Sequence, residues 1–191
     1  MLPSDGPAAD DADGWLARLQ AEAPPDLRRF HAEDLHATVA FLGPCGEEAA
    51  RAAFATATEE VTPIPVRLGR LVPMGPPRRP SALSLELEDG REEVAALITR
   101  WRPAMWRAAS AREDDRPAKP HITVLRPPRR ASPAERQRAL DWAARQPPVN
   151  VAVTLDRLAL YTWAEDRRRR QFQVVASRPF LGGMGQTRQE C

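Results

Sequence analysis

The pattern His-x-Thr-Val occurs twice, at His36-Ala37-Thr38-Val39 and at His121-Ile122-Thr123-Val124, each inside an apolar run rich in β-branched residues. No other feature constrains the fold as strongly. In a β-strand alternate side chains share a face, so the His and Thr of each copy point the same way. Each copy then presents one imidazole and one hydroxyl from a rigid element. The chain has only three histidines, and two of them stand in these matched positions. A single His-x-Thr in a strand is ordinarily a structural histidine. Two copies in equivalent places call for a common explanation.

The histidines are 85 residues apart (121 − 36). Shifting the first half by that interval superimposes the order of elements. The spacing predicts a helix over 46–60, which lands on a second over 132–146. A strand over 64–72 lands near another over 151–161. A short helix over 14–22 falls within a longer one over 90–109, and a strand over 81–87 meets the start of a last strand over 171–178. The motif strands themselves span 35–42 and 121–126. Pro103 is expected to kink or split its helix, because proline lacks the N–H and crowds the preceding turn. Ser132, with Pro133 next and Glu135 three residues on, has the form of a capping box. The repeat implies two similar α+β lobes about a pseudo-twofold axis, with the two His-Thr pairs facing across one cleft.

Three segments follow from this: a disordered stretch at 1–13, a single bilobal domain at 14–180 and a flexible tail at 181–191. Residues 1–13, rich in Pro, Asp, Ala and Gly, provide no apolar edge strand and no secretory signal. No run is long enough for a membrane span. Cys45 and Cys191 are isolated and form neither a disulfide framework nor a zinc motif, which suits a reducing cytoplasm. The net charge of +2 argues against a protein that coats nucleic acid non-specifically. Its cations are nonetheless almost all arginine, Lys119 being the one lysine. Arginine suits bidentate contacts with phosphate.

Two facing histidines supply an acid and a base near neutrality. In-line displacement at phosphorus needs one on each side, and two threonine hydroxyls can stabilise charge on the non-bridging oxygens. There is no P-loop or dinucleotide fingerprint, and no zinc-ligand spacing near either motif. No cofactor or metal is expected.

The segment Asp34-Leu35-His36-Ala37-Thr38-Val39-Ala40-Phe41-Leu42-Gly43 resembles the first motif of the two-histidine (2H) phosphoesterases, usually N-L-H-x-T-L-x-F-L-G. Lys119-Pro120-His121-Ile122-Thr123-Val124-Leu125-Arg126 resembles the second, usually R-P-H-x-T-L-x-R. Within that superfamily the chain is most similar, from about residue 14 to 180, to the bacterial and archaeal RNA 2',3'-cyclic phosphodiesterases, the 2'-5' RNA ligase-like proteins. The resemblance implies a bilobal α+β fold with two antiparallel sheets flanking a central cleft and helices outside. It implies a monomer that opens 2',3'-cyclic phosphates of RNA or nucleotides to 2'-phosphates without a metal. His36 would protonate the leaving 3'-oxygen and His121 would activate water. Thr38 and Thr123 would hold the phosphate, Arg126 would contact phosphate, and Phe41 and Tyr161 would stack on a base. A 2'-5' ligase acting on RNA halves, or a non-catalytic RNA-binding module, would use the same surface.

Overall fold

The structure, a computed structural model, describes residues 2–3, 9–77, 79–167 and 169–181. In chain order the elements are β1 (Leu2–Pro3), α1 (Ala9–Ala21), β2 (Arg28–Arg29), a 3-10 turn (Ala32–Asp34), α2 (Glu47–Ala55), β3 (Ile64–Met74), β4 (Ala82–Leu87), α3 (Arg91–Ala108), β5 (His121–Arg126), α4 (Pro133–Arg145), β6 (Val151–Trp163) and β7 (Phe172–Pro179). Ser132 caps α4 with the full reciprocal box: its hydroxyl accepts from Glu135 N, and its own N–H donates to the Glu135 carboxylate at 2.6 Å. Such a cap is worth about 1 kcal/mol.

The α+β architecture is as expected, and the register of its strands is that of a pseudo-twofold. β3 and β6 run antiparallel, with Arg67 opposite Ala152. These residues differ by 85 (152 − 67), so the repeat maps the pair onto itself. A second self-mapped pair is the bridge between Ala37 and Ile122, again 85 apart. The axis therefore passes between the two motif segments. The helices obey the same symmetry by exchange. α1 and α2 of the first half contact β6 of the second, and α3 and α4 of the second contact β3 of the first. Buried apolar side chains from both halves join in one core cluster.

Several expectations are corrected. The two sheets are joined by the β3–β6 pairing into one seven-stranded hydrogen-bonded sheet. The first motif segment, read as a strand over 35–42, pairs only through the bridge at Ala37. Its side chains still alternate, with Ala37 and Val39 buried, His36 half-buried and Thr38 exposed. Pro103 does not split its helix, because α3 runs unbroken. Val94, Leu97, Ile98 and Trp101 before it, and Met105 and Trp106 after it, are all buried and hold both halves in place.

Residues 1–13 are not wholly without order. Leu2–Pro3 pairs with β6, and α1 already begins at Ala9. Two residues pairing through backbone groups leave no apolar signature to read. The remainder of 1–13 lies outside the described residues. So does the tail from 182, whereas Leu181 donates its N–H to Val61 O at 2.9 Å.

Candidate active site

The cleft between the motif segments has a volume of about 670 Å³. All seven residues singled out in the sequence line it: His36, Thr38, Phe41, His121, Thr123, Arg126 and Tyr161.

Each histidine is oriented by the backbone two residues earlier. His36 Nδ1 lies 2.7 Å from Asp34 O, and His121 Nδ1 lies 2.6 Å from Lys119 O. A carbonyl only accepts, so Nδ1 carries the proton in both rings. Nε2 is then the free, basic atom of the neutral imidazole. The two contacts are again related by the interval of 85, so the repeat reproduces the tautomer as well as the residue.

Burial lowers the His36 pKa from about 6.5 to about 4, and burial also lowers that of His121. An unfolded His36 takes a proton near pH 6.5, and the folded ring waits until about pH 4. The folded state thus binds fewer protons in that window, and stability falls as pH drops through it. The loss is about 2 kcal/mol once the partial exposure of the ring is allowed for. Urea midpoints of wild type and His36→Gln at pH 7 and pH 4.5 check this. The variant should lose clearly less stability on acidification, and equal losses would contradict the assignment.

The second motif lies on β5, whose neighbour β4 aligns Glu86 with His121 and Ser84 with Thr123. Ser84, fully buried, shares a hydrogen bond of 3.0 Å with the Thr123 hydroxyl. Thr123 is thereby held with its remaining capacity toward the cleft. One step later the register shifts, and Leu83 faces Leu125. β5 has advanced two residues for one of β4, which is a β-bulge. Strict alternation would send Leu125 after His121 and Thr123 into the cleft. The bulge buries Leu125 completely and brings Arg126 into the cleft instead. Burial and the neighbouring Arg28 and Arg167 lower the pKa of Arg126. Arg136 on α4 secures the end of β5 by donating to Pro128 O at 3.2 Å and Arg129 O at 3.3 Å.

The first motif is held differently. Asp34 is 1% exposed, and its carboxylate accepts the N–H groups of Gln171 at 2.8 Å and Phe172 at 3.0 Å. That ties the segment entering His36 to the start of β7. The His36 ring then sits 4.9 Å from the Tyr161 ring and 5.1 Å, edge to face, from Phe172. Burial raises the Tyr161 pKa, so its phenol stays protonated, and its oxygen has no hydrogen-bond partner among the described residues. Phe41 is 74% exposed, so core packing does not account for it. Its carbonyl accepts from Trp106 Nε1 at 3.3 Å, which fixes the backbone beneath a free ring.

Sequence reasoning passed over Asp34 as a structural anchor, and also Ser84, Phe172 and Trp163. Asp34 and Ser84 act through contacts 137 and 39 residues distant in the chain, which no local pattern announces. Among the described residues no group of three or more His, Cys, Asp and Glu side chains is placed to hold a metal ion. No described helix is long and apolar enough to cross a membrane.

Comparison with known structures finds the same fold. E. coli LigT complexed with 3'-AMP matches with a TM-score of 0.68 at 20% identity, covering 93% of this chain and 95% of the other. A crystal structure titled phosphoesterase matches with a TM-score of 0.66 at 22% identity, covering 93% and 94%. TT0787 of Thermus thermophilus matches with a TM-score of 0.64 at 21% identity, covering 91% and 93%. A comparison with curated proteins returns no match. The profile of the 2'-5' RNA ligase superfamily matches residues 8–167. With most of its length under that profile and both His-x-Thr segments at one axis, the chain belongs to the 2'-5' RNA ligase superfamily.

Proposed function

We propose that the protein hydrolyses 2',3'-cyclic phosphates at RNA or nucleotide ends, giving 2'-phosphates, with His36 and His121 as acid and base and no metal. One observation carries this reading. Two histidines related by the axis line one cleft, each with Nδ1 committed to a backbone carbonyl and Nε2 left for chemistry.

Water attacks phosphorus opposite the 3'-oxygen. His121 Nε2 takes the water proton as the new P–O bond forms. His36 Nε2–H gives its proton to the 3'-oxygen as the P–O3' bond breaks. The products are a 2'-phosphate monoester and a free 3'-hydroxyl. His36 suits the leaving-group side because Tyr161 and Phe172 enclose its ring, whereas His121 is the more open to solvent. Burial keeps both rings neutral in the free protein. The negative charge of the bound phosphodiester favours the imidazolium that one of them needs. Thr38 and Thr123 donate to the non-bridging oxygens, Arg126 adds a guanidinium, and Phe41 and Tyr161 flank a base. Ligands named in structures of E. coli LigT, which include 3'-AMP, ATP and phosphate, support a phosphate-centred cleft of this kind.

The test is hydrolysis of adenosine 2',3'-cyclic phosphate in the presence of EDTA, with the product isomer assigned by phosphorus NMR. Activity with a 2'-phosphate product is expected. A 3'-phosphate product, or activity that EDTA removes, overturns the reading.

A further inference from the structure

The approximate symmetry also fails at the β6–β7 hairpin. β4 shifted by 85 would occupy 167–172, but β7 is Phe172–Pro179. β6 reaches Trp163, and the β6–β7 hairpin is a longer arm than its β3–β4 counterpart. On this arm Trp163 is 49% exposed and lines the cleft. Its ring stacks on Phe172 at 5.2 Å with planes 23° apart, and the Arg167 guanidinium lies 4.4 Å from its centroid.

Arg167 is also joined to two further arginines. Its carbonyl accepts Arg28 Nη2 at 2.6 Å. Arg28 on β2 stands directly opposite Arg126 on β5. Like charges opposed across two strands destabilise a sheet. Burial first, and then the neighbouring guanidinium charges, lower the proton affinity of Arg28 and Arg126. Arg28, Arg126 and Arg167 make no salt bridge among the described residues. The nearby carboxylate of Asp34 is committed to two backbone N–H groups, and that of Glu33 pairs with Arg170 at 3.2 Å. A repulsive cluster of this kind, running from the cleft out to an aromatic shelf, is suited to an anion that follows the reacting phosphate.

We propose that Arg28 and Arg167, continuing from Arg126, form a second phosphate subsite, and that Trp163 stacks the adjoining base, so that the preferred substrate is a single-stranded RNA end of two or more nucleotides. This rests on the proposed hydrolysis of cyclic phosphates. The chemistry sets the direction. A 2',3'-cyclic phosphate terminates a 3' end, so the next phosphate is on the 5' side of the same ribose. Arginine on that phosphate with an aromatic ring under the base is the general means of holding single strands. A mononucleotide reaches only the first part of this surface.

The experiment compares kcat/KM for adenosine 2',3'-cyclic phosphate, the same compound carrying a 5'-phosphate, and the dinucleotide ApA with a 2',3'-cyclic end. Wild type should improve along that series. Arg28→Ala or Arg167→Ala should each lower the dinucleotide-to-nucleoside ratio by about tenfold, as loss of a charge-assisted hydrogen bond does. Trp163→Ala should remove the gain from the second base while leaving more of the gain from the 5'-phosphate. The ratio does not depend on how much of a variant folds. Arg28→Lys should recover part of it. Ratios equal to wild type in both alanine variants would overturn the subsite. If wild type hydrolyses none of the three, the functional reading fails. The subsite is then judged by binding of fluorescein-labelled ApA 2'-phosphate: weakening in Arg28→Ala and Arg167→Ala supports it, and unchanged affinity overturns it.

Discussion

Replacing His121 by alanine is expected to lower kcat for a 2',3'-cyclic phosphate by about 10²–10⁴-fold, and replacing His36 to do the same. Each ring supplies one of the two proton transfers that an in-line displacement couples, so neither substitution leaves a complete pathway. The effects should not multiply. Once one transfer is lost the other has little left to accelerate, and the double variant should fall close to the weaker single one. Steady-state rates at saturating substrate, with far-ultraviolet circular dichroism to show that the fold persists, check this. A variant of either histidine that keeps half the wild-type kcat would sink the two-histidine reading. So would two independent losses that multiply in full, because they would assign the residues to separate steps.

Asp34→Ala should lower stability strongly while leaving the reacting groups in place. Its carboxylate, almost wholly enclosed, accepts the N–H groups of both Gln171 and Phe172. Alanine leaves two buried donors without partners, at roughly 1–3 kcal/mol each. A loss of about 3 kcal/mol in urea unfolding is expected. Phe172 would also loosen beside His36, whose ring it packs at 5.1 Å. A better-hydrated imidazole takes its proton more easily. The pKa of the His36 ring, followed by its carbon-bound proton resonances in NMR, should therefore move upward from about 4. Asp34→Asn keeps one acceptor oxygen and should recover part of both effects. A destabilised Asp34→Ala protein with an unchanged His36 pKa would show that Asp34 supports the fold without positioning His36.

The legibility of these parts differs for physical reasons. The start of helix α4 was readable to the residue, because the reciprocal bonds of Ser132 and Glu135 depend on a spacing of three within one turn. The extent of α3 was not. Proline's local cost is fixed, and only the burial of Trp101, Met105 and Trp106 shows that packing outweighs it. β1 escaped notice because its two residues contribute backbone pairing alone. The expected strand at 35–42 proved to be extended chain with a single bridge, since alternation of faces does not require a regular ladder.

Sequence by itself determined that His36 with Thr38, and His121 with Thr123, share a face, because that follows from the period of an extended chain. The interval of 85 also implies a twofold relation. Only the tertiary structure decided that the axis runs between Ala37 and Ile122. It decided that a bulge in β5 exchanges Leu125 for Arg126 in the cleft, and that Asp34 reaches Gln171 and Phe172 to seat the first histidine. It also decided that three arginines gather where the hairpin outgrows its counterpart. Local periodicity fixes the direction of a side chain relative to its neighbours. Register, bulges and contacts across more than a hundred residues depend on how whole strands pack, and no short stretch of chain encodes them.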